Sequence, residues 1–196
     1  PDPALEARTL ADELNRRFAG ASAEDVIAFA VREGFPGAVG AVSSFGAESA
    51  VLLNLIASVE KSVPILFLDT GKHFGETLDY RRDLTAALGL TDVRNVEPLA
   101  DKLATDDPDG TLHTVSTDRC CAIRKVEPMA RAVIPFDAWF TGRKRFQAST
   151  RAALPLFEAV GRIDPMLFAT DTSGYTQYGR AYLAVQPDVD DQRFIV

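Results

Sequence analysis

Short apolar runs alternate along this chain with segments whose apolar residues recur every three or four positions. The apolar runs predict strands at 38–42, 64–68 and 136–141, and a third, shorter strand in chain order is predicted at 93–96. The run Pro-Ile-Leu-Phe-Leu at 64–68 has no polar alternation, which is typical of a parallel strand buried on both faces. Weaker apolar patterns predict further strands at 154–160 and 181–185.

The segments between these runs show helical spacing. They predict helices over 5–18, 22–31, 50–59, 76–88 and 119–132. Ser22 is the predicted N-cap of the second helix, Gly89 the C-cap of the fourth, and Asp118 or Thr117 the N-cap of the last. The polar stretch 101–112 predicts a turn or mobile loop.

The alternation of strands and helices predicts an α/β fold, with a parallel sheet flanked by helices. We expect residues 1–160 to form an α/β domain and residues 161–196 a C-terminal segment of unknown role. In such folds, ligands bind beyond the carboxyl ends of the strands. The loops that follow the predicted strands are therefore the first places to look for chemistry.

The loop after the first strand reads Ser43-Ser44-Phe45-Gly46-Ala47-Glu48-Ser49. A tight loop between a strand and a helix places free backbone N–H groups at the positive end of the helix dipole, where a phosphate is stabilised. Gly46 is expected to allow positive φ and the close approach of a ligand. The loop lacks the lysine and the spacing of a Walker motif. Taken alone, a purely structural turn explains it equally well.

Two further loops fall at the same predicted edge of the sheet. Asp69-Thr70-Gly71-Lys72-His73-Phe74 follows the second strand, and Gly142-Arg143-Lys144-Arg145 follows the fourth. Residues 119–151 carry eight basic and two acidic side chains, although the whole chain has a net charge of −7. The net charge argues against a general nucleic-acid binder, and the basic segment indicates a local anion site. A solvated helix face is the competing explanation.

The two cysteines, Cys120 and Cys121, are adjacent in the sequence and open the predicted helix 119–132. Neighbouring cysteines rarely form an unstrained disulfide, so a secreted disulfide framework is not expected. A helix N-terminus favours the thiolate form. A buried, inert pair is the alternative. His73 and His113, forty residues apart, make a poor metal pair.

Composition places the chain among ordinary globular proteins, with 46% hydrophobic and 25% charged residues. No run approaches the roughly 18 apolar residues that a membrane span needs. The first residues, Pro-Asp-Pro, lack the pattern of a signal peptide. We therefore expect a cytoplasmic protein with neither nucleic acid nor membrane as a partner.

Four motifs, in this order along the chain, resemble the sulfonucleotide reductases, which have an adenine-nucleotide α-hydrolase-like fold. They are Ser43–Ser49, Leu68–Phe74, Asp118–Lys125, and Thr141–Gln147 together with Thr150-Arg151. The resemblance covers about residues 25–160. The cysteine pair looks like the subgroup that carries a [4Fe–4S] cluster and reduces adenylyl sulfate. The cluster-free subgroup uses 3′-phosphoadenylyl sulfate.

The resemblance implies reduction of adenylyl sulfate to sulfite and AMP in assimilatory sulfate reduction, which serves cysteine biosynthesis. It implies thioredoxin or glutaredoxin as electron donor and allows a homo-oligomer. Cys120 and Cys121 would ligate the metal cluster, and Lys125, Arg143 and Arg145 would support catalysis. The implied substrate-binding residues are Ser43, Ser44, Phe45, Gly46, Ala47, Glu48, Ser49, Asp69, Thr70, Gly71, Phe74, Gln147 and Arg151.

The chain departs from the family after Ile163. A [4Fe–4S] cluster held by cysteines takes four thiolates, and this chain lacks the family's downstream Cys-x-x-Cys pair. It also lacks the C-terminal cysteine that attacks sulfur. Three explanations stay open: a sequence that is incomplete or altered after residue 160, which we favour, a paralogue that binds nucleotide without reducing it, or a second polypeptide that supplies both groups.

Two other enzyme activities are alternatives to reduction of adenylyl sulfate. A 3′-phosphoadenylyl-sulfate reductase would share most of these motifs. An ATP-using adenylating enzyme of the same fold group is disfavoured, because the Ser43–Ser49 loop lacks the Lys-Asp pair of pyrophosphate-releasing members.

Overall fold

A computed structural model gives the fold and describes residues 3–46, 49–142, 155–160 and 182–185. Within these residues, six strands form one sheet in the order β3-β2-β1-β4-β6-β5. The strands are β1 (Val39–Ser43), β2 (Ile65–Leu68), β3 (Val93–Val96), β4 (Ala138–Phe140), β5 (Phe157–Val160) and β6 (Tyr182–Val185). All neighbouring strands are parallel except β5 and β6. The predicted α/β fold with a parallel sheet is confirmed.

Helices precede and link the strands. They are α1 (Pro3–Arg17), α2 (Ala23–Phe29), α3 (Ser49–Val59), α4 (Gly75–Leu88), α5 (Ala100–Asp106), α6 (Leu112–Val115), α7 (Thr117–Cys121) and α8 (Glu127–Ala132). Two π-helical segments, Ala30–Gly34 and Ala122–Val126, extend α2 and join α7 to α8. The predicted caps Ser22 and Gly89 are confirmed, with Ser22 accepting from the Asp25 N–H and Gly89 in the left-handed region.

Strand β2 shows why the sheet has apolar side chains on both faces. Ile65 and Phe67 are fully buried in the larger core, together with the fully buried Ile56 of α3. Leu66 points to the opposite face and packs in a second core with Trp139. The absence of polar alternation in this run is therefore explained by burial on both sides. No helix among the described residues is long and apolar enough to cross a membrane.

The prediction of a turn or mobile loop over 101–112 is wrong for most of that stretch. Helix α5 covers its first part and α6 begins at its end, so the turn is confined to 107–111. Residues 100–106 contain neither glycine nor proline, and Pro108 follows, so a short helix that ends before the proline is compatible with the sequence. The prediction of irregular structure at 101–106 rested on the high polarity of these residues, which is equally compatible with an exposed helix.

Two other local predictions need correction. The last predicted helix begins earlier than expected, because Ser116 rather than Asp118 or Thr117 is its N-cap and accepts from the Arg119 N–H. A hydroxyl one turn ahead of this N–H serves as well as a carboxylate. Strand β6 lies between β4 and β5, so a segment from beyond residue 160 joins the same sheet. The domain boundary at residue 160 stays a prediction.

Candidate functional site

The carboxyl ends of three neighbouring strands bring three of the predicted loops to one edge. Strand β1 pairs in parallel with both β2 and β4. The residues after Ser43, Leu68 and Phe140 therefore leave the sheet on the same side. This carboxyl edge is where ligands bind in open α/β sheets.

The loop after β1 is held in a strained conformation by an aromatic anchor. Phe45 has φ +53°, and no other non-glycine residue in the described part of the chain has positive φ. Its ring is fully buried and packs edge-to-face on Phe67, with the ring centroids 5.6 Å apart. Its N–H donates to the Ser43 hydroxyl at 3.0 Å. Such a conformation costs about 1–3 kcal/mol, which the buried ring offsets.

This arrangement corrects the expectation for Gly46, because the positive φ falls on Phe45 instead. Ser44 and Gly46 are exposed at the edge, and the one described atom that a Cβ added to Gly46 would meet is the Ser44 hydroxyl oxygen at 3.6 Å. Ser43 belongs to β1, and Ser49 is the first residue of α3. Ser44 and Gly46 are thus exposed shortly before α3 begins, and the Ser49 N–H donates to the Gly46 carbonyl at 2.8 Å.

The loop after β2 is a tight turn. Gly71 has φ +67°, and its N–H donates to the Asp69 carboxylate at 3.0 Å. Thr70 is buried, whereas Phe74 is 79% exposed and packs into no core among the described residues. His73 contacts the Leu68 carbonyl at 2.9 Å through Nε2, and His113 is exposed on α6. The two histidines therefore lie in different elements, His73 in the loop after β2 and His113 in α6.

The cysteine pair ends helix α7. Cys120 is buried, Cys121 is half-buried, and both are free thiols. The π-helical segment Ala122–Val126 follows at once and changes the rotation of later residues around the helix axis. Lys125, one turn after Cys121, is exposed.

The buried side chain of Arg124 ties the cysteine helix, defined here as the continuous helical residues 117–126, both to Asp107 and to the turn after β2. The Arg124 guanidinium donates to the Asp107 carboxylate through Nη2 at 2.6 Å and through Nε at 3.2 Å. Its Nη1 donates to the Thr70 carbonyl at 2.7 Å. The other Asp107 oxygen accepts from the Leu112 N–H at 2.8 Å. The bonds from Arg124, followed by the one from Leu112, hold the pKa of Asp107 below its usual value.

Sequence reasoning missed both members of this ion pair. Asp107 looked like a turn residue of the Asp-Asp-Pro-Asp-Gly stretch, and Arg124 looked like one of several basic residues. The two side chains are seventeen residues apart in the chain. The one available signal was an arginine placed one turn after the cysteines, next to Lys125.

Several predicted site residues lie outside the described part of the chain, and their roles stay predictions. They are Ala47, Glu48, Arg143, Arg145, Gln147 and Arg151. Among the described residues, no group of three or more His, Cys, Asp or Glu side chains could hold a metal ion.

The comparisons with known proteins agree with this geometry. The family model described as phosphoadenosine phosphosulfate reductase domain matches residues 39–176, which include all three edge loops and the cysteine pair. The chain belongs to this reductase-domain family. The family therefore accounts for the four ordered motifs.

Named relatives lie within the same family. An adenosine 5′-phosphosulfate reductase of Mesorhizobium japonicum is 56% identical over 161 residues, which are 81% of this chain and 63% of that protein. One from Chelativorans sp. is 52% identical over 185 residues, 92% and 75% of the two chains. The chain thus spans less than two thirds of the Mesorhizobium protein.

A solved structure supports the fold. The crystal structure of a phosphoadenylyl-sulfate reductase from Candida auris, in a phosphate complex, matches with a TM-score of 0.67 at 25% identity. The match covers 93% of this chain and 81% of the other.

The chemistry of the donor set tests whether this chain's residues suit the expected [4Fe–4S] cluster. Such a cluster takes four thiolates, and the sequence contains two cysteines. Cys120 and Cys121 would therefore supply at most half of the donor set, and the residues of this chain do not complete it.

Proposed function

We propose that this chain is the nucleotide-binding part of an adenylyl-sulfate reductase, which converts adenosine 5′-phosphosulfate to sulfite and AMP in sulfate assimilation. The observation that carries the proposal is the convergence, at one edge of a parallel sheet, of an open serine–glycine loop, a tight Asp69–Gly71 turn and a helix bearing two thiols. Family membership and the relatives at 52% and 56% identity support it.

The Ser43–Ser49 loop is assigned to the anionic half of the nucleotide. Ser44 and Gly46 are exposed and precede the eleven-residue helix α3 in the chain, and a phosphate near a helix N-terminus is stabilised by N–H groups and the helix dipole. Glu48 and Ala47 belong to the same loop. In a chain with net charge −7, such local stabilisation is needed to hold two adjacent anionic groups.

The basic side chains are assigned to the sulfate and phosphate oxygens. Guanidinium groups bind oxyanions through two parallel, charge-assisted bonds, so Arg143, Arg145 and Arg151 suit a phosphosulfate. Lys125 adds positive charge close to Cys121. Asp69, Thr70, Gly71, Phe74 and Gln147 are assigned to the nucleotide pocket.

The reductive step needs a further thiolate. That thiolate attacks the sulfate sulfur, the S–O bond to the AMP phosphate breaks, and an S-sulfocysteine forms. A thiol of thioredoxin or glutaredoxin then attacks the cysteine sulfur, forms a mixed disulfide and releases sulfite. Cys120 and Cys121 are assigned to metal ligation, so neither of them is proposed as the attacking thiolate. We further propose a cytoplasmic protein and leave open whether it is a homo-oligomer.

The competing substrate is 3′-phosphoadenosine 5′-phosphosulfate. Relatives named for it include one from Gloeobacter violaceus at 36% identity, well below the two adenosine 5′-phosphosulfate reductases. The adjacent cysteines also favour the substrate without the 3′-phosphate.

Calorimetric titration tests the proposal. We expect adenosine 5′-phosphosulfate to bind at least about tenfold more tightly than its 3′-phosphorylated form, a difference of about 1.4 kcal/mol. AMP should bind without product formation. Absence of binding by all three nucleotides, or release of pyrophosphate from ATP, would overturn it. Iron content after anaerobic purification tests the metal assignment separately.

A further inference from the structure

We infer that Arg124 is a positioning residue that fixes the Asp69–Gly71 turn against the cysteine helix, so that nucleotide binding and thiol accessibility are coupled. The inference rests on the proposed function where it concerns the nucleotide. The link between the two segments stands on the geometry alone.

The first step is the burial of the guanidinium. The side chain of Arg124 is 7% exposed and that of Asp107 is 1% exposed. A buried arginine persists only when it is paired and its remaining donors are bonded. Arg124 is paired with Asp107, and each of its three guanidinium nitrogens donates to Asp107 or to the Thr70 carbonyl.

The second step is the fork geometry. Nε and Nη2 both reach one oxygen of Asp107, while Nη1 reaches the Thr70 carbonyl. A planar guanidinium can hold a carboxylate and a backbone carbonyl at the same time, whereas a lysine ammonium is a point charge on a flexible stem. The three guanidinium nitrogens of Arg124 therefore fix the distance between the cysteine helix and the Asp69–Gly71 turn.

The third step is the support of this pair from both sides. Asp107 is held by the Leu112 N–H, and Lys72 donates to the Gly110 carbonyl at 2.6 Å. The turn at 107–111 is thus tied to the segment after β2 directly by the Lys72–Gly110 bond and indirectly through Arg124, which bonds both Asp107 and the Thr70 carbonyl. A Cβ added to Gly71 would lie 3.4 Å from Arg124 Nη1, so the turn packs directly on the guanidinium.

The fourth step connects the pair to the thiols. Arg124 lies three residues after Cys121, inside the π-helical segment Ala122–Val126. This segment continues directly from α7, which ends at Cys121, so a shift of the Thr70 carbonyl acts on the same helical stretch 117–126 that contains Cys121. Such π-helical turns occur often at functional sites.

The decisive variant is Arg124→Lys, which keeps a charge beside Asp107 but loses the fork. We expect its affinity for adenosine 5′-phosphosulfate to fall about tenfold. We also expect faster alkylation of the cysteine pair by iodoacetamide in the absence of nucleotide. A residue with only a stabilising role would leave affinity and alkylation unchanged in a variant that is still folded.

Asp107→Asn is the second variant, because it keeps an acceptor for the Leu112 N–H. We expect an affinity loss in the same direction but smaller, about threefold. It keeps the inference falsifiable if Arg124→Lys does not fold. The matched control is Arg94→Lys, which changes an arginine paired with Asp92 at the opposite edge and should move neither readout.

The outcomes separate this inference from the proposed function. Failure of the wild-type protein to bind any of the nucleotides overturns the proposed function, and the alkylation rates then decide the inference. Wild-type affinity and wild-type alkylation in both Arg124→Lys and Asp107→Asn overturn the inference while leaving the proposed function intact.

Discussion

The two edges of the sheet carry the same kind of ion pair in different surroundings. At the amino edge, Arg94 bonds Asp92, two residues away, with side chains 49% and 32% exposed. At the carboxyl edge, Arg124 bonds Asp107 at the same 2.6 Å, but both side chains are buried. The first is a local surface contact, and the second joins distant segments. An arginine–aspartate pair therefore does not indicate a candidate site by itself. The Arg124–Asp107 pair differs because it is buried and because Arg124 also bonds the Thr70 carbonyl.

The residues with positive φ also differ between the amino edge and the carboxyl edge. Near the amino edge, Gly89 takes φ +66° as the C-cap of α4, which glycine does without strain. At the carboxyl edge, an aromatic residue, Phe45, takes φ +53°. Strained backbone of this kind is retained where the surrounding structure fixes it, often at ligand sites. The predictions below test this difference between the edges.

The largest effect is expected for Phe45→Ala. Removing a fully buried ring should lower the free energy of unfolding by about 3–5 kcal/mol. The loop should also lose its anchor on Phe67, so nucleotide affinity should fall. Urea unfolding and calorimetric titration measure the two changes.

Ile56→Ala is the control for Phe45→Ala. This fully buried side chain of α3 lies in the same core, and its loss should cost about 2–5 kcal/mol of unfolding free energy. Nucleotide affinity should stay at the wild-type value at temperatures where the variant is folded. An equal loss of affinity in both variants would mean that Phe45 acts through stability alone.

Gly71→Ala and Gly89→Ala compare the two edges directly. Each places an alanine at φ near +67° and should cost about 1–2 kcal/mol of unfolding free energy. The added Cβ meets Arg124 Nη1 at 3.4 Å in one case and the flexible end of Lys61 at 3.3 Å in the other. Nucleotide affinity should fall only for Gly71→Ala. If both variants bind equally well, the turn after β2 is not part of the site.

Acid should weaken the carboxyl-edge pair. The pKa of Asp107 is lowered in the folded protein, chiefly by the bond from Arg124. Its contribution to stability is therefore full above the usual pKa of 3.8 and is lost as the pH falls through the lower folded value. The stability difference between wild type and Asp107→Asn should shrink at low pH. Unfolding curves at several pH values measure it, and a constant difference would contradict the assignment.

The smallest effect is expected for Arg94→Gln. An exposed ion pair contributes at most about 1 kcal/mol, even though Arg94 bonds Asp92 through two nitrogens. Denaturant unfolding should therefore change little, and nucleotide affinity should not change. A loss of affinity here would remove the distinction between the edges.

Sequence patterns were sufficient to locate the strands at the centre of the sheet because β1, β2 and β4 coincide with apolar runs. Their ends, and hence the loops at Ser43 and Asp69, follow from the same runs. The strain at Phe45 and the Asp107–Arg124 pair depend on contacts between residues far apart, which periodicity does not record. Helix α5 was missed because its exposed polar residues resemble those of a loop.

The most direct test of the central claim is to map nucleotide binding onto the backbone amides by NMR. Adding adenosine 5′-phosphosulfate should shift the amide signals of Ser44, Gly46, Thr70 and Gly71 at the carboxyl edge, and leave those of Gly89 and Asp92 unchanged. Shifts centred on the amino edge, or none at either edge at saturating nucleotide, would contradict a sulfonucleotide site at the carboxyl ends of β1 and β2.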